Sequence, residues 1–175
     1  MLQELEKINT EIINEAKTGQ YYLGRFIPKI SETINTQVMF VAEMPTFPSK
    51  KDKWNPRDNF FLTKSDLKFV KLLNKLGLAG CYITDVVKKC ALAGEPTEED
   101  LQKFKPYLQK EISTLNPKVI VSLGERTSKV LDKLNIQHIN IWHPSYPDRK
   151  NEDKGLWLEY ENQIRDRVVN SLQTS

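Results

Sequence analysis

Four short apolar runs set the problem this chain has to solve. Residues 37–42 (QVMFVA), 82–87 (YITDVV), 118–123 (KVIVSL) and 137–142 are each strand-length, and amphipathic stretches separate them. Their length and β-branched content predict buried strands. The stretches around them repeat at helical spacing. Leu2, Leu5, Ile8, Ile12, Ile13 and Ala16 form one stripe, and Phe69, Leu72, Leu73 and Leu76 form another, closed by Gly77. Thr97-Glu98-Glu99-Asp100 resembles a capping box with Asp in place of Glu. It opens a helix with Leu101, Phe104, Leu108, Ile112 and Leu115 inward. A further helix runs from Gly124 to Leu134, and a last one over about 154–172. Strands alternating with helices predict an α/β fold, in three α/β/α layers around a central, mainly parallel four-stranded sheet.

The rest of the sequence narrows the class. At 175 residues, with no repeat and no long Gly/Ser linker, the expectation is one domain over 1–175. A chain of this size buries enough core to fold without disulfides or metal. Cys81 and Cys90 are its only cysteines, too few for a disulfide framework and wrongly spaced for a zinc knuckle. No apolar run reaches membrane-span length, and the amphipathic start lacks a signal-peptide core, so a cytoplasmic protein is expected. Net charge is +3, a mild bias toward polyanionic partners. Lys50, Lys51, Lys53 and Arg57 surround Trp54, Lys88 adjoins Lys89, and Arg149 adjoins Lys150. Each group is either a phosphate contact or a solvated loop.

Open α/β sheets bind ligands beyond the carboxyl ends of their strands. The first strand delivers Glu43-Met44-Pro45 to that edge, the third delivers Gly124-Glu125, and the fourth delivers His143-Pro144-Ser145-Tyr146. Asp85 lies in the second strand. The polar stretch 43–63, with Pro45, Pro48 and Pro56, reads as a loop long enough to be functional. Composition and period go no further than a polar, partly basic cleft gathering Glu43, Asp85 and His143.

The order of segments says more. Ala42-Glu43-Met44-Pro45, Tyr82-Ile83-Thr84-Asp85-Val86-Val87-Lys88, residues 115–124 (LNPKVIVSLG) and His143-Pro144-Ser145-Tyr146 follow one another at defined spacing. Together they resemble the thermophilic, iron–sulfur branch of the uracil-DNA glycosylase superfamily over roughly residues 37–150. That branch binds its cluster through four cysteines. Here Phe104 stands at one ligand place and only Cys90 lies near another, so the resemblance implies a member with no cluster, metal or other cofactor. Ala42 and Thr46 replace flanking glycines of the first motif, and Asp85 replaces an Asn. The Thr-Asp-x-Val-Lys strand is also similar to some members of the mismatch-specific branch.

The resemblance implies a monofunctional hydrolase that flips uracil or a related deaminated base from DNA and cuts its glycosidic bond. His143 would donate a hydrogen bond to the base as charge develops on it; the alternative is a histidine satisfied at a strand end. Glu43 would orient or activate water, unless it is a solvated acid or a cap, and Asp52 is a second candidate acid. Phe61, or its neighbour Phe60, would stack on the base. Pro144, Ser145, Tyr146 and Lys88 would meet the DNA, although Tyr146 also suits loop packing. Asp85 would face the base. It would either stay protonated in a desolvated pocket, select a base that presents donors, or turn away to Lys88 or a backbone N–H. DNA is the expected partner of a monomer. Two other readings remain: the same fold retained as a DNA- or nucleotide-binding module, and a hydrolase of free nucleosides or nucleotides.

Overall fold

The computed structural model describes residues 1–15, 21–27, 34–45, 55–56, 63–90, 95–149 and 154–173. Helix α1 (Leu2–Glu15) leads to a two-residue strand β1 (Arg25–Phe26) and the long strand β2 (Asn35–Ala42). Helix α2 (Lys64–Lys75) connects to β3 (Cys81–Asp85), and α3 (Glu98–Leu115) to β4 (Val119–Leu123). Helix α4 (Glu125–Lys133) returns to β5 (Ile139–Ile141). A short α5 (Tyr146–Arg149) precedes α6 (Lys154–Ile164), which continues through a π-helical turn (Arg165–Val169) into α7 (Asn170–Gln173). No helix among the described residues is long and apolar enough to cross a membrane.

The expected mainly parallel sheet is present, with one strand more than the period predicts. Its order is β1-β3-β2-β4-β5, and every pairing is parallel except β1 with β3. Two residues carry no alternation, so β1 was invisible to periodicity. It is held by Arg25 opposite Ile83 and Phe26 opposite Tyr82. β3 is shorter than expected, yet the pairing continues past it: Val86 N–H donates to the Ala42 carbonyl at 2.8 Å and Val87 N–H to the Glu43 carbonyl at 3.0 Å. β5 is an edge strand that pairs only over Val121–Leu123, which trims it to three residues.

Central strand β2 is buried on both faces, as parallel sheets require. Val38, Phe40 and Ala42 face one core with Phe69, Leu72 and Leu73 of α2 and Tyr160 and Ile164 of α6. Met39 and Val41 face the other, with Leu5, Ile8 and Ile12 of α1, Leu101, Phe104 and Leu108 of α3, and Val130 and Leu131 of α4. Three layers result. The helix starts follow capping chemistry: Thr97 accepts from Asp100 N–H at 3.1 Å and Asp100 answers at the Thr97 N–H. Thr63 and Asp66 form a second such box on α2.

Connection β2–α2–β3 runs to one side of β2, and β4–α4–β5 runs to the other. The strand order therefore reverses between β2 and β4, and a crevice opens where their carboxyl ends diverge. Glu43 and Gly124 stand at its two sides.

Candidate active site

A cleft of about 650 Å³ occupies that crevice, and its walls include Glu43, Arg126, Asn140, His143, Ser145 and Tyr146. Of the residues singled out from sequence, Glu43, His143, Ser145 and Tyr146 meet here. Asp52, Phe60 and Phe61 lie outside the described residues, as do Lys50, Lys51, Lys53, Trp54 and Arg57.

His143 follows β5 directly. Ser145 N–H donates to its Nδ1 at 3.2 Å, and the Ser145 hydroxyl lies 2.9 Å from the same nitrogen. A nitrogen that accepts from a backbone N–H carries no proton, so the neutral ring is protonated on Nε2. Burial, helped by the nearby Arg149 charge and opposed by Asp66, lowers the His143 pKa to about 4. At neutral pH the ring is an uncharged Nε2–H donor. The chain's other histidine differs: His138 Nδ1 meets the Ile136 carbonyl and Nε2 meets the Ser128 hydroxyl, both at 2.8 Å. Both of its nitrogens are engaged, and it ties α4 to the approach of β5.

Gly124 makes the close packing around His143 feasible. Its φ is +95°, and a Cβ built on it would lie 3.2 Å from the Cβ of His143. Left-handed backbone and a touching neighbour together demand glycine here.

The motif's second half is anchored by Asp148 in α5. Its carboxylate accepts from Ser65 Oγ and Lys68 Nζ, both at 2.6 Å, and from Trp157 Nε1 at 3.0 Å. Desolvation pushes this carboxyl up, but the three hydrogen bonds and the Lys68 charge outweigh it and hold the pKa at about 2. One side chain thus ties α5 to α2 and α6. Tyr146 is exposed and packs its ring on Trp142, with centroids 4.7 Å apart. Pro144 is buried, so its ring packs within the protein rather than facing solvent.

Glu43 is gripped by a residue that sequence reading passed over. Arg126 Nε donates to Oε1 at 3.2 Å and Nη2 approaches Oε2 at 2.9 Å. Burial raises the Glu43 pKa above its ordinary value; Arg126 pulls it down and Glu95 adds to the rise. The two partners are 83 residues apart, and no local pattern links them.

Lys88 corrects an expectation. Its side chain is fully buried, so it makes no phosphate contact: Nζ lies 2.6 Å from Glu111 Oε2 and donates to the Asp85 carbonyl at 2.7 Å and to the Thr84 hydroxyl. Asp85 ends β3 beside Ala42, is 3% exposed, and is not among the described residues that line the cleft.

The four-thiolate cluster of the iron–sulfur branch does not fit the residues present. The chain's two cysteines, Cys81 and Cys90, are both buried. Burial, with the Asp85 charge, pushes the Cys90 thiol up to about 12. Phe104 is 1% exposed and fills the core under α3. Among the described residues no three His, Cys, Asp or Glu side chains group to hold a metal.

Residues 12–164 match the family model described as the uracil DNA glycosylase superfamily. The chain is also similar to the Type-4 uracil-DNA glycosylase of Sulfurisphaera tokodaii, at 29% identity over 138 residues. That match covers 74% of this chain and 59% of the relative, so the chain spans about three-fifths of the curated protein it resembles. A match over most of its length, on a three-layer fold whose crevice carries the expected first and last motifs, means that this chain belongs to the uracil-DNA glycosylase superfamily.

Proposed function

We propose that the protein is a monofunctional DNA glycosylase, working as a cytoplasmic monomer without metal or cofactor. It flips uracil or a related deaminated base out of DNA and hydrolyses the N-glycosidic bond, the opening step of base-excision repair. The observation that carries this reading is the Ser145 N–H held on Nδ1 of His143 at the cleft wall. Its ring is neutral and held through Nδ1 by Ser145, and it offers Nε2–H at a cleft large enough for a base.

The chemistry follows from that donor. As the base–C1′ bond breaks, electrons flow onto the base and negative charge gathers on its carbonyl oxygen. A preorganised N–H aimed at that oxygen stabilises the transition state more than the ground state. The sugar becomes cationic and is captured by water, whose proton passes to the Glu43 carboxylate. The base anion takes up a proton and Glu43 gives its own up to solvent, so the products are the free base and an abasic strand.

The test is incubation of the purified protein with a uracil-containing oligonucleotide, followed by alkaline strand cleavage. His143→Ala is expected to lower the rate by about 10²–10³ with an unchanged melting curve. A parent that leaves the strand intact but binds it would instead support a binding module, the reading that Asp85 in place of Asn favours. Cleavage of free deoxyuridine at a comparable rate would support the nucleoside hydrolase. The same assay sorts base choice: if Asp85 faces the base, Asp85→Asn gains activity on uracil relative to hypoxanthine and cytosine-type lesions. An unchanged preference would mean that Asp85 never meets the base.

A further inference from the structure

We propose that Arg126 is a positioning residue for base excision, whose guanidinium fork fixes the plane of the Glu43 carboxylate at the wall of the cleft. The inference rests on the reading of Glu43 as the group that takes the proton from water.

Glu43 is the first residue beyond β2 and stands where the strand order reverses. Its side chain is 17% exposed, so water can orient it only weakly. Arg126 is in the first turn of α4, which begins directly at the end of β4, the strand paired to β2. Two rigid elements therefore carry the two partners to the same edge. Contacts from Nε to Oε1 and from Nη2 to Oε2 engage both oxygens at once, a geometry that sets orientation as well as distance. Each oxygen keeps a second lone pair, so the grip leaves room to accept a proton. A lysine at this place would be a point charge without a fork.

Among the described residues, two charged groups act on Glu43. Arg126 comes from α4 and Glu95 from the segment before α3, and Arg126 Nε also lies 3.7 Å from Glu95 Oε1. Removing Arg126 would leave Glu43 with burial and a like charge, both of which favour the protonated acid. A protonated Glu43 cannot receive the proton of water. Arg126 is thus placed to keep the acid ionised and aimed.

Arg126 is half exposed, so the competing role is a phosphate contact, and kinetics separate the two. Single-turnover base release would be measured for the parent, Arg126→Ala, Arg126→Lys and Glu43→Gln across acid and neutral pH. Glu43 ionisation would be followed in parallel by carboxyl ¹³C NMR. Arg126→Ala is expected to lower the maximal rate about tenfold, move its acid limb to higher pH and leave KM within about twofold. Arg126→Lys should restore the position of the limb but only part of the rate, and Arg126→Ala should add little in the Glu43→Gln background. A raised KM and a shallower salt dependence with an unmoved acid limb would make Arg126 a phosphate contact and overturn the inference. A parent that releases no base overturns the functional reading instead. The NMR titration still decides the clamp: a Glu43 midpoint that rises in Arg126→Ala upholds it, and an unmoved one overturns it.

Discussion

Two of the glutamate–cation pairs in this molecule differ in nearly everything but charge. Glu111 and Lys88 lie at 2.6 Å with both side chains fully buried, whereas Glu43 and Arg126 lie at 2.9 Å with 17% and 50% exposure. The buried pair is saturated. Glu111 also accepts from the Tyr82 hydroxyl at 3.0 Å and from Thr84, and Lys88 spends its donors on Thr84 and the Asp85 carbonyl. Even Gly24 is pressed against it, since a Cβ there would fall 2.0 Å from the Tyr82 hydroxyl oxygen. Such a pair holds β3 to α3 and reaches neither DNA nor water. The rim pair opens on the cleft and keeps acceptor capacity. Ion pairing alone does not distinguish scaffold from site. Satisfaction and access do.

The largest effect should come from the buried pair. Lys88→Met strands a buried carboxylate and is expected to cost about 3–5 kcal/mol in denaturant unfolding, while Lys88→Met with Glu111→Leu recovers most of it. Arg126→Ala, by contrast, should cost no more than about 1 kcal/mol of stability. If the two single variants destabilise equally, the contrast between the pairs collapses.

A pair of glycines sharpens the same contrast at the rim. Gly124 and Gly77 both have left-handed backbone, at φ +95° and +74°, but only Gly124 has a neighbour within 4 Å of a built Cβ, and that neighbour is His143. Alanine at either site should cost about 1–2 kcal/mol of stability from backbone strain. Only Gly124→Ala should also slow base release, because it displaces His143. Equal activity in the two variants would show that His143 tolerates movement.

At neutral pH the smallest expected effect is that of the His143 titration, which shows itself as a slope toward acid pH. The His143 pKa is about 4 in the fold against an ordinary 6.5. As pH falls below about 6.5, the unfolded chain takes up a proton that the folded one refuses, so stability present above that pH is progressively lost toward about pH 4. His143→Asn should flatten this part of the stability profile, measured by urea titration at several pH values. A slope unchanged by the substitution would show that the ring is protonated in the folded protein.

Local chemistry is what the sequence by itself determined. Period and strand length exposed β2, β3, β4 and β5 and the helices between them, because a buried strand or an amphipathic face must repeat its apolar residues at the spacing of its own backbone. The Thr97–Asp100 box marked the start of α3, since its two hydrogen bonds close within four residues. Glu43 and His143 were legible because residues following parallel strands share one edge of the sheet. Tertiary structure alone decided the rest. β1 exists because two residues find β3, not through any pattern of their own. Lys88 is a lysine like its exposed neighbour Lys89 until α3 brings Glu111 over it. Arg126 becomes part of the site only when β2 and β4 lie side by side and bring Glu43 to it from 83 residues away. The reason is physical: caps and periods are satisfied within a few residues. The fate of a charge depends on desolvation and on a partner, and packing supplies both from elsewhere in the chain.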